Sequence, residues 1–380
     1  MSLPTPHDED GPAEVLLPQE MLAQFSTVNV CAPMVRYSKL AFRQLVSQYE
    51  THITTTPMML AKEFSRSAIA RDSDFSTNSL ERGTFYMDEI RRAAPVVELD
   101  DSYEPRGILE TPRRRKRKVR GSLIVQFAAN DGQQLADAAE LVKPWVDGID
   151  LNCGCPQKWA YQEGIGCALL RKPELVRDLV RSTKQRVGWD FPVSVKIRVD
   201  PDLTLTNELV RTAIAAGADV LTVHGRTRHQ ASSAHPVNLD SLAFAVECAK
   251  GDIPCMANGD VFTLEDAEET RRRCNVRGVM SARGLLANPA LFAGHSQTPL
   301  SAISEFTRLS TSLGLIYPLF HRHVSYMLES HLPRKRDRTY FNSLSSHAGV
   351  MDYLEEEMGL ELKSGGKATG LETPLTTLSL

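Results

Sequence analysis

The sequence predicts an α/β fold: a (β/α)8 TIM barrel followed by a small C-terminal helical domain. Two observations point to it. Short apolar runs recur eight times in the middle of the 380-residue chain, and most precede a segment with helical periodicity. After Pro299 these runs stop, and apolar residues fall at helical spacings. Eight parallel β/α units close most economically into a barrel.

A doubly wound open sheet is the alternative architecture. That fold normally carries a Gly-x-Gly-x-x-Gly turn after its first strand, where dinucleotide phosphates bind. Here the corresponding position reads Ala32-Pro33-Met34-Val35. The barrel is therefore favoured.

The predicted strands are short runs rich in apolar and β-branched residues, bounded by turn residues. They cover 28–34, 53–59, 123–128, 148–152, 193–199, 220–224, 255–258 and 278–282. The clearest predicted helices show the 3.6-residue apolar period. They cover 38–49, 132–144, 173–187, 207–216, 239–249 and 264–274.

The predicted domain boundaries follow changes in this rhythm. Residues 1–27 form a flexible N-terminal segment and 28–297 form the barrel. Residues near 79–121 are polar, contain prolines and end in a basic run, so they are expected to form a long, partly disordered loop. Residues 298–360 form the helical domain, and 361–380 form a disordered tail.

Charge and cysteine content exclude several classes of protein. The chain has 44 basic and 47 acidic side chains, so nucleic-acid contact requires local patches. Two exist, at 113–118 and at 334–338, the second beside Tyr340 and Phe341. The chain has seven cysteines and no Cys-x-x-Cys pair, which fits neither a disulfide scaffold nor a zinc ribbon. A reducing compartment is expected. Because the sequence has no apolar run of membrane-spanning length, we expect a soluble protein of the cytoplasm or nucleus that contacts no membrane.

The predicted strand ends are unusually polar. They carry Gln126, Asn152 with Cys155, Lys196 with Arg198, His224 with Arg226, Asn258-Gly259-Asp260 and Ala282-Arg283-Gly284. Polar groups at the ends of buried strands are costly unless they face a ligand or one another. The last two loops have small residues whose backbone N–H groups suit a phosphate, while a lysine and an amide would face a cofactor's head group. This inventory suits flavin mononucleotide (FMN).

These motifs, in unbroken order, resemble the tRNA-dihydrouridine synthases. The match includes Ala32-Pro33-Met34, Asp150-Leu151-Asn152-Cys153-Gly154-Cys155-Pro156, Lys196-Ile197-Arg198 and His224-Gly225-Arg226-Thr227. Through the segments 30–42 and 282–289 it is most similar to the eukaryotic branch associated with D-loop positions 20a and 20b.

The resemblance implies FMN, with NADPH or NADH as reductant, and tRNA as the macromolecular partner. It implies these cofactor-binding residues: Pro33, Met34, Val35, Gln126, Lys196 and His224 around the isoalloxazine ring, and Asn258, Gly259, Asp260, Ala282, Arg283 and Gly284 at the phosphate. It implies that Asn152 meets the uracil and that Cys155 is the catalytic proton donor. We also expect Arg198, Arg226, Lys335 and Arg336 to bind substrate.

The implied chemistry is addition of hydride to C6 of uracil and of a proton to C5. A thiol is mostly protonated at neutral pH and can still release its proton, which suits the role given to Cys155. The target base must leave the stack of a folded tRNA to reach the barrel mouth.

Two other functions stay open at this point. A flavin barrel could act on a free small molecule, as dihydroorotate and old-yellow-enzyme types do, although such an enzyme has no need of the basic helical extension. A noncatalytic RNA-binding protein could also retain the barrel. Taken alone, Cys155 is more often an inert turn cysteine, and the run 113–118 is as often a solvated loop as an RNA contact or a nuclear-import signal.

Overall fold

The computed structural model describes residues 11–90 and 116–362. Its strands are β1 Glu14–Val15, β2 Val28–Cys31, β3 Ile53–Thr55, β4 Met59–Leu60, β5 Thr84–Asp88, β6 Lys116–Arg120, β7 Ser122–Ala128, β8 Gly148–Cys153, β9 Val193–Arg198, β10 Val220–His224, β11 Cys255–Asn258 and β12 Gly278–Ser281. Its α-helices are α1 Pro18–Gln24, α2 Leu40–Val46, α3 Ala61–Arg66, α4 Ala68–Asp74, α5 Gly132–Val142, α6 Lys158–Gln162, α7 Pro173–Val187, α8 Leu203–Ala216, α9 Leu239–Glu247, α10 Leu264–Cys274, α11 Arg283–Ala287, α12 Leu300–Ser312, α13 Tyr317–Met327, α14 Lys335–Ser343 and α15 His347–Glu356.

Eight parallel strands close into a barrel, as predicted. The strand order is β3-β2-β12-β11-β10-β9-β8-β7, and β3 also pairs with β7 to complete the circle. The short β4 extends the sheet beside the end of β7. All eight predicted strands are present, and each overlaps the range expected from its apolar run. The fold prediction is confirmed.

Local capping explains why some helices match the predicted bounds residue for residue. Helix α10 begins after Thr263, whose hydroxyl accepts from the backbone N–H of Asp266 while that carboxylate accepts from the backbone of Thr263. It ends at Asn275, which takes a left-handed conformation with φ of 51°. Helix α7 has Pro173 in its first turn and stops at Gly188.

The N-terminal segment differs from the flexible arm predicted over 1–27. Residues 1–10 lie outside the described range, but β1 is paired with β6 and α1 is a folded helix against the barrel. Met21, Leu22 and Phe25 are buried, and Leu22 contacts Gly278 at the first residue of β12. Because these side chains cover the N-terminal end of the barrel, the burial of apolar area orders a segment whose composition looked unstructured.

The insertion also differs from the predicted loop over 79–121. Strands β5 and β6 pair antiparallel, and β6 pairs with β1 to form a three-stranded sheet. The guanidinium of Arg117, in the described part of the basic run, forms ion pairs with Glu14 and, at 2.9 Å, with Glu89. Strand pairing across the insertion is a long-range interaction that composition does not reveal. Residues 91–115, with the first half of the basic run, lie outside the described residues.

Four helices, α12 to α15, follow the barrel and form the predicted helical region. Phe320, Val324 and Met327 of α13 are fully buried, as their spacing predicts. The buried ring of His323 packs against Phe42 of α2 and joins these helices to the barrel core. No helix in the described parts of the chain is long and apolar enough to cross a membrane. The predicted tail over 361–380 lies almost wholly outside the described residues.

Candidate active site

The C-terminal ends of five adjacent barrel strands bring most of the predicted site residues together. In the strand register Asn152 of β8 lies opposite Lys196 of β9, and His224 of β10 lies opposite Asn258 of β11. Gln126 of β7 joins them through its side chain, which contacts Asn152. Because parallel strands end at the same rim, these five residues share one mouth of the barrel.

Two amides form a wall beside the loop after β8. The Asn152 Nδ2 group donates to Gln126 Oε1 at 2.8 Å, and Gln126 Nε2 donates to Asp150 Oδ2 at 2.8 Å. Asn152 Oδ1 accepts from the backbone N–H groups of Gly154 and Cys155 at 3.1 and 2.9 Å. This amide wall, formed by Gln126 and Asn152, therefore fixes the backbone of Gly154 and Cys155, where the cysteine loop begins after β8.

Cys155 is the one cysteine of the seven that is not buried. Its backbone carbonyl accepts from the N–H of Cys167 at 3.0 Å, which closes the loop behind it. Gly166 lies so close that an added Cβ would be 2.8 Å from the Cys155 Cβ. Burial raises the pKa of Cys31 and of Cys167 to about 12, so both thiols stay protonated. The thiol available for chemistry at this rim is that of Cys155.

Lys196 is a buried cation with a neutral hydrogen-bond partner. Its Nζ donates to Asn258 Oδ1 at 2.9 Å, and Asn258 Nδ2 donates to the carbonyl of Met280 at 2.9 Å. Burial lowers the pKa of Lys196 to about 8, although the nearby Asp150 carboxylate opposes this shift. Lys196 is therefore mostly protonated at neutral pH and loses its proton at a lower pH than an ordinary lysine.

His224 is held neutral beside several arginines. Burial, followed by the charges of Lys196, Arg198, Arg226 and Arg283, lowers its pKa to about 2. The Arg226 guanidinium donates to His224 Nε2 at 3.1 Å. Since arginine can only donate, Nε2 is the acceptor and the ring proton resides on Nδ1. The result is a neutral histidine whose remaining donor is its Nδ1–H.

Asp260 ties two arginines together at the end of β11. Its carboxylate accepts from Arg226, from Arg283 at 2.8 Å and from the backbone N–H of Val237 at 2.8 Å. Arg226 is 1% exposed and also donates to the carbonyl of His235. The guanidinium that we assigned to substrate binding is thus occupied by protein acceptors. Asp260 and Arg226 hold the loops in place through side chains that face each other.

Two glycines allow the loops after β11 and β12 to pack closely. Gly259 has a φ of 135°, and an added Cβ would lie 2.6 Å from the Val237 side chain. An added Cβ on Gly284 would lie 2.1 Å from the carbonyl oxygen of Val261. Neither position accepts a larger residue. Ala282 precedes α11, and the exposed Arg283 stacks over Phe262 at 5.1 Å from the ring centre.

The remaining predicted residues are spread more widely. Pro33 lines a small cavity inside the barrel with Asp150 and Ser194, Met34 is buried, and Val35 is 46% exposed. Arg198 donates to the carbonyls of Thr227 and Gln230, at 2.8 and 3.0 Å. Lys335 and Arg336 are exposed at the start of α14, in the helical region that follows the barrel.

Sequence reasoning missed Asp150 and Ser194. Asp150 lies two residues before Asn152 on β8, and Ser194 lies two residues before Lys196 on β9, so the period of a strand places each on the inward face. Ser194 Oγ donates to Asp150 Oδ1 at 2.6 Å. The alternation was a sufficient signal for both residues.

The residues present fit an anionic flavin cofactor. Lys196, Arg198, Arg226 and Arg283 all act on His224, so the rim has more positive charge than Asp260 neutralises. The buried Nε of Arg198 has no hydrogen-bond partner among the described residues. An unpartnered buried donor and excess positive charge are costly unless an anion or acceptor is bound. The described residues contain no group of three or more His, Cys, Asp or Glu that could hold a metal ion.

Comparison with known proteins gives a consistent result. The family model described as "Dihydrouridine synthase (Dus)" matches residues 30–87 and 97–358. A mouse protein named tRNA-dihydrouridine(20a/20b) synthase [NAD(P)+]-like is 44% identical, and the match covers 90% of this chain and 93% of that protein. The human protein of the same name is 43% identical over 90% of this chain and 95% of its own length. The tRNA-dihydrouridine(20a/20b) synthase [NAD(P)+] of Schizosaccharomyces pombe is 44% identical over 87% of each chain. With the barrel, the amide wall and the half-buried thiol in place, this chain belongs to the dihydrouridine synthase family.

Proposed function

We propose that this chain reduces uridine to 5,6-dihydrouridine in the D-loop of tRNA, at positions 20a and 20b. The observation that carries the proposal is the placement of Cys155, the half-buried thiol, beside two buried amides and a buried lysine on one barrel rim. The tRNA substrate and the NAD(P)H-type reductant of this proposal are taken from the names of the relatives.

FMN is the cofactor that the rim residues suit, and when bound it supplies the hydride that saturates the C5=C6 bond of uracil. Lys196 would hold the negatively charged part of the ring system, since it is protonated below a pKa of about 8. Gln126 and the neutral His224 would orient the ring through amide and imidazole N–H donors. The loops containing Gly259 and Gly284 would hold the phosphate.

Cys155 would deliver the proton that completes the saturation of the base at C5. Its loop is held by Asn152 Oδ1, so the thiol keeps a defined position relative to the amide wall. Asn152 has a second Nδ2 hydrogen, which suits a carbonyl oxygen of uracil. The exposed Lys335 and Arg336 on α14 would contact the tRNA backbone.

The test uses tRNA from cells that lack dihydrouridine at these positions, with purified protein and NADPH. We expect bound flavin, consumption of NADPH and dihydrouridine mapped to 20a and 20b. Cys155→Ala should keep the flavin and its reduction by NADPH but lose dihydrouridine formation. The matched control is Cys248→Ala, because Cys248 is a buried cysteine at the C-terminal end of α9.

Three results would count against the proposal. Protein without flavin would remove the cofactor assignment, and flavoprotein that leaves tRNA unreduced would favour a small-molecule substrate. Full activity of Cys155→Ala would remove this cysteine as the proton donor.

A further inference from the structure

A chain of hydrogen bonds joins the backbone of Cys155 to the buried carboxylate of Asp150. The Cys155 N–H donates to Asn152 Oδ1 at 2.9 Å, Asn152 Nδ2 donates to Gln126 Oε1 at 2.8 Å, and Gln126 Nε2 donates to Asp150 Oδ2 at 2.8 Å. At the far end Ser194 Oγ donates to Asp150 Oδ1 at 2.6 Å. Every bond in the chain points toward Asp150.

The direction of the chain follows from the chemistry of its first member. Backbone N–H groups can only donate, so Asn152 must turn its oxygen to the loop and its NH₂ group to Gln126. Gln126 must then present its oxygen to Asn152 and its NH₂ group to position 150. That position must accept, and a carboxylate is the side chain that offers acceptors only.

The chain lies in a buried part of the barrel. Asp150 is 4%, Gln126 1% and Asn152 8% exposed. A reversed Gln126 amide would place two NH₂ groups face to face in this buried environment, so the orientation of both amides depends on the acceptor at position 150.

We propose that Asp150 is a positioning residue, which fixes the two amides and through them the cysteine loop. Each amide has a second N–H that bonds to no acceptor in the described chain. With the orientation fixed, Asn152 offers a donor to its ligand. This part rests on the proposed function: a donor matches the C4 carbonyl of uracil and opposes the C4 amino group of cytosine.

The test reverses the chain. Asn152→Asp keeps an acceptor for the loop N–H groups but places a carboxylate on each side of Gln126. The NH₂ group of Gln126 can face only one carboxylate, so its oxygen must face the other. Adding Asp150→Asn lets the new amide at position 150 donate to Gln126 Oε1, while Gln126 turns its NH₂ group toward position 152. Each link of the double variant is again a donor and an acceptor.

The readouts are the melting temperature and the rate at which iodoacetamide labels Cys155, followed by mass spectrometry. Since the other six cysteines are buried, labelling reports on this loop. We expect Asn152→Asp to raise the labelling rate about fivefold, the size of coupling usual within one network, and to lower the melting temperature. The double variant should return both values to near those of the wild type. A double variant as reactive as Asn152→Asp, or an unchanged single variant, would overturn the proposal.

Ser194→Ala is the matched control. It removes one donor to Asp150 but leaves the acceptor for Gln126, so the labelling rate should stay within about twofold of the wild type. If Ser194→Ala raised the labelling rate as much as Asn152→Asp does, the effect would come from altered packing and not from the direction of the hydrogen bonds. That result would contradict the proposal.

Uridine reduction is measured separately. The double variant should stay inactive, because a carboxylate at position 152 cannot donate to a carbonyl; recovered turnover would overturn the donor role of Asn152. If the wild type itself does not reduce tRNA uridine, the proposed function fails, while the labelling results still decide the positioning role of Asp150.

Discussion

Replacing Lys196 with methionine should change how stability depends on pH. Burial lowers the pKa of Lys196 from its ordinary value of 10.5 to about 8 in the folded protein. Between these values the unfolded chain holds a proton that the folded chain has released. Folding stability of the wild type therefore gains a contribution as pH rises through this window.

The size of the effect follows from the shift in pKa. Each pH unit within the window is worth about 1.4 kcal/mol, so the contribution between pH 8 and pH 9.5 is about 2 kcal/mol. Methionine has no proton to release. The free energy of unfolding of Lys196→Met, relative to the wild type, should therefore be highest at pH 7 and fall by about 2 kcal/mol by pH 9.5. The lost hydrogen bond to Asn258 lowers the stability of the variant by a constant amount and does not alter this slope.

The assay is urea unfolding at several pH values between 7 and 9.5, with flavin removed because a ligand that binds only the folded state adds stability. Lys172→Met is the matched control, since the side chain of Lys172 is exposed. Its stability should run parallel to that of the wild type. Parallel curves for Lys196→Met would show that Lys196 is not a buried cation and would refute the electrostatic description of the rim.

Three further predictions test other parts of the structure. Glu81→Gln should lower the free energy of unfolding by about 3–5 kcal/mol, because it leaves the buried Arg43 charge, now paired with Glu81 at 2.5 Å, uncompensated; a loss under about 1 kcal/mol in urea unfolding would contradict this. Phe25→Ala should cost about 3–5 kcal/mol, since Phe25 is fully buried at the base of the barrel, whereas a flexible N-terminal arm predicts no change in melting. Joint replacement of Lys335 and Arg336 by alanine should weaken tRNA binding and reduce its salt dependence by about one unit of slope per lost phosphate contact, with flavin reduction unaffected; an unchanged slope would remove them from the RNA surface.

Much of the barrel was predictable because its signals are local. Each strand is an apolar run of a few residues, and helices such as α7 and α10 begin and end at capping residues within the same short segment. The polar strand ends were recognisable for the same reason. A buried strand that ends in Asn152 or Lys196 violates the usual pattern, and the violation marks the site.

The errors occurred where order depends on distant partners. Residues 116–118 are basic and read as a loop, yet they form a strand because β1 and β5 lie on either side. Met21 and Phe25 lie in a segment with an acidic, proline-containing start, and the barrel base that buries them is built from strands far along the chain. Composition cannot report a surface that exists only after folding.

The sequence by itself determined the type of fold, the order of its strands and the identity of the polar residues at the strand ends, because hydrophobic period, turn residues and motif order are properties of neighbouring positions. The tertiary structure decided which of those residues meet. It turned Arg226 and Asp260 toward each other, buried Lys196 beside a neutral amide, and joined Asp150 to the Cys155 loop. These outcomes depend on the register of strands around a closed barrel and on the burial of side chains at its mouth, and both exist only in the folded chain.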